Sequence, residues 1–158
     1  MQQTFTVQEA TVKLEYFCSY QERCHADITK KLYEMHMIPQ AVDLIVVHLI
    51  DNDFLNEERY ACSFARGKHR IKFWGKIRII NELKARRISK YNIETALKQI
   101  SLEEYWTTFE KLSEYQWELM REPSRIKKRK KFCDYLLRKG FESAMVYEKM
   151  KALESENS

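Results

Sequence analysis

The stretch Ile79-Ile80-Asn81-Glu82-Leu83-Lys84-Ala85-Arg86-Arg87-Ile88-Ser89-Lys90-Tyr91-Asn92-Ile93-Glu94-Thr95-Ala96-Leu97-Lys98-Gln99-Ile100 decides the fold. Ile79 and Leu83 stand one helical turn apart, and Ile93, Leu97 and Ile100 keep the i, i+4, i+7 spacing of an apolar helix face. Between them Ser89, just before Lys90, is suited to be an N-cap. The stretch therefore reads as two amphipathic helices joined by a tight turn before Ile88. The same pattern occurs twice more. With Met37, Ile88 and Phe141 as equivalent anchors, Ile28, Ile79 and Phe132 stand nine residues before them, and Leu32, Leu83 and Leu136 five before. Val42, Ile93 and Val146 follow by five, Val46, Leu97 and Met150 by nine, and Leu49, Ile100 and Leu153 by twelve. Any amphipathic helix reproduces the spacing within itself, but helical periodicity does not force the phase to hold across a turn. One position departs: eight after the anchor stand Ile45, Ala96 and then Lys149.

The expected fold class is all-α, with three tandem three-helix, helix-turn-helix-like repeats forming an elongated array whose curvature the sequence leaves open. The repeats are assigned to residues 8–53, 54–100 and 101–153, and residues 154–158 are expected to form a fraying, disordered tail. Leading helices are expected at 8–20, 57–68 and 102–122, middle helices at 26–35, 75–86 and 126–138, and closing helices at 39–50, 90–100 and 142–153. Pro39 suits the first helical position, where its missing N–H costs nothing. Asn56 before Glu57-Glu58 suits a helix start, and Ser101 with Glu104 has the spacing of a capping box. Gly140 after Arg138-Lys139 suits a helix end.

Composition agrees. Hydrophobic residues make up 44% of 158, enough for a packed core, while 3 Gly and 2 Pro are too few for a turn-rich all-β chain. No secretory leader is apparent, and the longest apolar run, Leu44 to Leu49, is far too short to span a membrane. The four cysteines, at 18, 24, 62 and 133, form no CxxC pair, so reduced thiols packed as small apolar groups are expected, in a cytoplasmic protein. Cys18, Cys24 and His25 lack further ligands at zinc-site spacing, so no metal site is assigned. No phosphate-binding glycine loop, dinucleotide turn or HExxH occurs. Glu57 and Glu58 are adjacent on a helix and do not face one target. No catalytic residue and no cofactor are assigned, and the chain is read as a binding protein rather than an enzyme.

The net charge of +5 hides an asymmetry. Residues 1–65 carry five Lys and Arg against ten Asp and Glu. Residues 66–90 carry ten bases against Glu82 alone, and residues 125–139 carry eight against Asp134 alone. Two basic blocks between acidic ones suggest a surface for a polyanion. The candidate binding residues are Arg66, Lys68, Arg70, Lys72, Lys76, Arg78, Lys84, Arg86 and Arg87 in the first block. In the second they are Lys127, Lys128, Arg129, Lys130 and Lys131. Those on the middle helix lie off its apolar stripe of Ile79, Ile80 and Leu83 and are free to meet phosphates or carboxylates. Phe73, Trp74 and Tyr91 interleave with these bases, as stacking platforms for single strands do, though Trp74 is expected to pack between helices. Trp106, Phe109, Leu112 and Trp117 form a stripe expected in the core.

The run from Phe54-Leu55-Asn56-Glu57-Glu58-Arg59-Tyr60-Ala61 to Phe64-Ala65-Arg66, then Trp74-Gly75-Lys76-Ile77-Arg78-Ile79 and Leu83-Lys84, resembles the central signature of the RecX family. Asp27-Ile28-Thr29-Lys30-Lys31-Leu32 through Leu49 is similar to the family's opening unit. The resemblance covers roughly residues 10–153. Two departures stand out. The family's usual turn glycine is His36 in the first copy and Arg87 in the second, so those turns are expected to differ in shape from the one at Gly140. Asn56 replaces a usual aspartate. The resemblance implies a regulator that binds the filament of RecA on single-stranded DNA and restrains its recombinase and coprotease activities in DNA repair and recombination. It implies RecA and single-stranded DNA as partners; no membrane partner is expected, and the chain is expected to be a monomer. The residues alone leave a second reading open, a free-standing helix-turn-helix-like nucleic-acid binder. A third, an oligomerising scaffold, leaves the basic blocks unexplained.

Overall fold

The computed structural model describes residues 3–156, and among them every regular element is helical. In chain order these are α1 (Val7–Tyr20), α2 (His25–Glu34), α3 (Pro39–Asp51), α4 (Glu57–Lys72), α5 (Lys76–Ala85), α6 (Lys90–Leu97), α7 (Leu102–Leu119), α8 (Arg125–Lys139) and α9 (Ser143–Glu156). The protein is an all-α helical repeat fold, as the apolar spacing predicts.

The shared positions explain why. Ile28, Ile79 and Phe132, and likewise Leu32, Leu83 and Leu136, are fully buried. Val42, Ile93 and Val146 are buried too, as are Leu49, Ile100 and Leu153. The departing position has a physical reason: Ile45 and Ala96 are buried, while Lys149 reaches Glu110 and Glu114 on α7.

The turns correct the sequence reading. His36, Arg87 and Gly140 all adopt the left-handed conformation, with φ of 61°, 59° and 100°. The next amide donates back in the same way in each copy: Met37 to the Leu32 carbonyl at 3.1 Å, Ile88 to Leu83 at 3.1 Å and Phe141 to Leu136 at 3.2 Å. This is the Schellman closure. The two non-glycine turns are therefore built like the glycine one, because burial of Leu32/Met37 and Leu83/Ile88 outweighs the roughly 1–2 kcal/mol a side chain costs there.

Other ends also differ from expectation. α4 continues through Gly67 to Lys72 and is closed by Phe73 at φ 59°. α6 stops at Leu97, where the chain tightens into i→i−3 bonds from Gln99 and Ile100. α7 stops at Leu119 because Met120 is already extended, and Pro123 disfavours helix at the residue before it. Asn56 Oδ1 accepts from the Arg59 amide at 2.9 Å and Ser101 Oγ from the Glu104 amide at 3.0 Å, as helix starts require. The reciprocal half of the Ser101 capping box is not formed, since Arg70 takes the Glu104 carboxylate at 2.7 Å. The tail expected to fray from 154 instead extends α9 to Glu156, and Glu154 is gripped by Arg125 and Arg129. Residues 157 and 158 lie outside the described residues.

Contacts divide the chain into two compact units, so that the middle copy is shared between them. One contains the residues up to Ser63 together with Leu83–Thr95, the other Phe64–Glu82 together with the residues from Ala96 on. The first has a core of α1, α2 and α3 side chains, among them Leu14, Ile28, Leu32, Ile45 and Leu49. The second is centred on aromatics: Phe109 packs on Phe141 with ring centroids 5.1 Å apart, and Trp117 meets Phe132 edge-on at 5.2 Å. Of the expected aromatic core stripe, Phe109 and Trp117 are buried, but Trp106 is 41% exposed. Cys18, Cys24, Cys62 and Cys133 are buried thiols outside any disulfide, and burial pushes the thiols of Cys18, Cys24 and Cys133 upward. No helix among the described residues is long and apolar enough to cross a membrane.

Candidate polyanion-binding site

The second unit brings together the start of α5 and the end of α8. After α4, the left-handed Phe73 turns the chain back, and the buried His69 ring fixes the turn. Its Nδ1 lies 3.0 Å from the Trp74 carbonyl, which assigns the proton to that nitrogen, and the ring stacks on Tyr105 at 5.4 Å. Gly75 then meets Gly140 backbone to backbone. The Gly75 amide donates to the Lys139 carbonyl at 2.7 Å and the Ile77 amide to Gly140 at 3.0 Å. The amide of Lys76 donates to the Tyr105 hydroxyl at 3.0 Å, and that hydroxyl donates to the Glu142 carboxylate at 2.9 Å. The electropositive end of α5 is thus capped by the electronegative end of α8.

This junction positions bases. Lys72, Lys76, Arg78, Arg138 and Lys139 lie on the segments it joins, and the heads of Lys76, Arg78 and Lys139 rest on carbonyls and ring faces. Arg78 Nη1 donates to the Arg138 carbonyl at 3.2 Å and its guanidinium lies 4.1 Å from the Trp74 ring. Lys76 Nζ lies 4.7 Å from the Tyr105 ring, and Lys139 Nζ donates to the Lys72 carbonyl at 3.0 Å. Burial first, and then the Arg78 and Lys72 charges, hold the Lys139 ammonium below its ordinary range. Crowded cations attract an incoming anion, whose charge relieves their mutual repulsion.

The other candidates are dispersed. Arg66 donates to Gln99 at 2.8 Å and Lys68 rests over Phe64 and Trp74. Arg70 is bound to Glu104, whose carboxyl that hydrogen bond holds below the usual range. Lys84, Arg86 and Arg87 belong to the first unit, where Arg86 and Arg87 line a polar cavity of about 520 Å³ with His25, Thr29 and Glu57. The second basic run is largely engaged within its own unit. Arg129 grips Glu154, Lys130 pairs with Asp134 at 2.8 Å and Lys131 with Glu122 at 2.9 Å. Lys128 lies 4.1 Å from the Trp117 ring, and Lys127 is exposed. Arg138 and Lys139 were not among the sequence candidates. Their signal, two bases before Gly140, reads equally well as helix-end charge. Trp74 is half-buried, edge-on to Phe64 at 6.0 Å, so it packs and also carries Arg78.

Fold and site together define a helical repeat protein with a basic junction. Residues 56–97 match the family model described as RecX, second three-helix domain. A Regulatory protein RecX from Limosilactobacillus reuteri is 30% identical over 135 residues, 85% of this chain and 51% of the relative. The chain thus spans about half the length of that relative. A solved structure of regulatory protein RecX superposes with a TM-score of 0.76 at 28% identity, covering 92% of this chain and 73% of that one. The structure of RecX from Lactobacillus salivarius shares the fold, with a TM-score of 0.78 at 23% identity over 94% of this chain and 96% of that one. Residues 56–97 thus carry a RecX three-helix domain, and over most of its length the chain is similar to RecX proteins.

Proposed function

We propose that this chain binds the RecA–single-stranded DNA filament and restrains RecA, as a monomeric cytoplasmic regulator without cofactor. The observation that carries the reading is the group of Lys72, Lys76, Arg78, Arg138 and Lys139 at the α5–α8 junction, where Lys76, Arg78 and Lys139 are fixed on ring faces and carbonyls. A filament of protein on DNA presents phosphates and acidic side chains along a groove, and such a cluster gains from both. Lys127 in the second unit and, separately, Lys84, Arg86 and Arg87 in the first are further candidate contacts in this reading. The test is co-sedimentation of the chain with RecA filaments and, separately, with bare single-stranded and duplex DNA at physiological salt. Preferential binding to the filament supports the proposal. Equal or tighter binding to bare DNA supports a free-standing nucleic-acid binder instead.

A further inference from the structure

The first unit holds a second cationic surface of a different make. Residues 1–65 carry five bases, Lys13, Arg23, Lys30, Lys31 and Arg59, against ten acids. Three of the five, Lys13, Arg23 and Lys31, line one open groove of about 620 Å³. Each is held over an aromatic face. Lys13 Nζ lies 5.1 Å from the Phe5 ring centre, and on Phe17 the Arg23 guanidinium lies at 3.6 Å and Lys31 Nζ at 5.8 Å. Arg23 is fixed further by its Nε, which donates to the Phe17 carbonyl at 3.0 Å. Arg59, by contrast, is neutralised by Glu22 and Asp53.

Between these cations runs an apolar stripe. Val12, Tyr16 and Tyr20 follow each other at i, i+4, i+8 on α1 and are 59%, 73% and 75% exposed. The face of α1 that serves the core is Ala10, Leu14 and Cys18. α1 therefore has a second apolar face that the fold does not use. Contiguous exposed apolar surface rimmed by charge marks an interaction site more often than scattered exposure does.

We propose that this groove docks a short acidic peptide segment bearing an aromatic or aliphatic anchor. The anchor packs on Val12, Tyr16 and Tyr20, and flanking carboxylates meet Lys13, Arg23 and Lys31. A nucleic-acid strand fits less well, because it carries a charge at every nucleotide, whereas the groove offers three cations among apolar side chains. A peptide with two or three carboxylates ends where the cations end. Cations held over rings lose little side-chain freedom on binding because they are already positioned. The proposal lies outside the α5–α8 cluster, so it and the RecA reading can fail separately.

The test uses the full chain and a fluorescein-labelled peptide of about 12 residues in which Glu alternates with Leu and Phe, read by fluorescence anisotropy. Its Gln-for-Glu counterpart and an oligothymidylate of similar length serve as competitors. The expected result is saturable binding of the acidic peptide, about tenfold weaker binding of the Gln peptide, and a loss of about tenfold or more in the Lys13→Glu/Arg23→Glu/Lys31→Glu chain. Tyr16→Ser/Tyr20→Ser weakens binding similarly, and because both rings are exposed, circular dichroism stays helical. Lys72→Glu/Arg138→Glu leaves peptide binding unchanged. Equal binding of the Glu and Gln peptides, no binding of either, or loss of peptide binding only in Lys72→Glu/Arg138→Glu overturns the proposal. So does a groove variant that loses oligothymidylate and keeps the peptide.

Discussion

A Cβ atom placed on Gly75 lies 2.3 Å from the carbonyl carbon and oxygen of Gly140. No side chain fits between these two backbones, and the amide of Gly75 uses the closeness to reach Lys139. Gly75→Ala therefore forces α5 away from α8 and breaks that bond. The expected cost is about 2 kcal/mol or more, from overpacking plus a lost buried hydrogen bond. Urea unfolding checks it, as a lower midpoint with an unchanged slope.

His36 and Arg87 sit in left-handed turns that glycine enters freely. His36→Gly and Arg87→Gly are each expected to stabilise the chain by about 1 kcal/mol, reduced by the extra freedom glycine brings to the unfolded state. Thermal unfolding of each variant against the parent measures this, and a lower melting temperature for both contradicts it.

Tyr105 is 3% exposed, and its hydroxyl joins the Lys76 amide to Glu142. That setting, burial above all, holds the phenol well above its ordinary range, so it stays protonated and donating. Tyr105→Phe keeps the ring and strands both partners, at an expected cost of about 1–3 kcal/mol. Adding Glu142→Gln to Tyr105→Phe should cost less than the two single effects summed, a coupling that a double-mutant cycle reads.

Acid should loosen the clasp between α8 and α9. The hydrogen bond from Arg129, helped by Arg125, holds the Glu154 carboxyl down to about 2, from an ordinary 4.5. A carboxylate with a depressed folded value contributes stability above about pH 4.5, and loses it as pH falls toward 2. The melting temperature should drop over that window, and Glu154→Gln should flatten this part of the profile. An identical profile in the variant counts against the clasp.

The repeat was legible because burial follows apolar phase: fifteen of the eighteen shared positions, from Ile28 to Leu153, are buried. The turns at His36 and Arg87 were misread because residue preference there is local, while the conformation is imposed by packing on either side. Lys149 and Glu154 looked like a broken stripe and a loose tail because their partners, Glu110, Glu114, Arg125 and Arg129, lie far away in sequence. The basic blocks were visible as composition, but composition does not tell a base spent on Glu122 or Asp134 from one held on a carbonyl. Arg138 and Lys139 join the site only because Gly75 and Gly140 let two helix ends touch.

The most direct test of the central claim is the single-stranded-DNA-dependent ATPase of RecA, measured against increasing amounts of this chain and of its Lys72→Glu/Arg138→Glu variant. Both substituted side chains are exposed, so the variant should keep its helicity. The account predicts that the parent chain inhibits below one molecule per RecA and that the variant needs about tenfold more to reach the same inhibition. Equal inhibition by the two, or none by the parent, would contradict it.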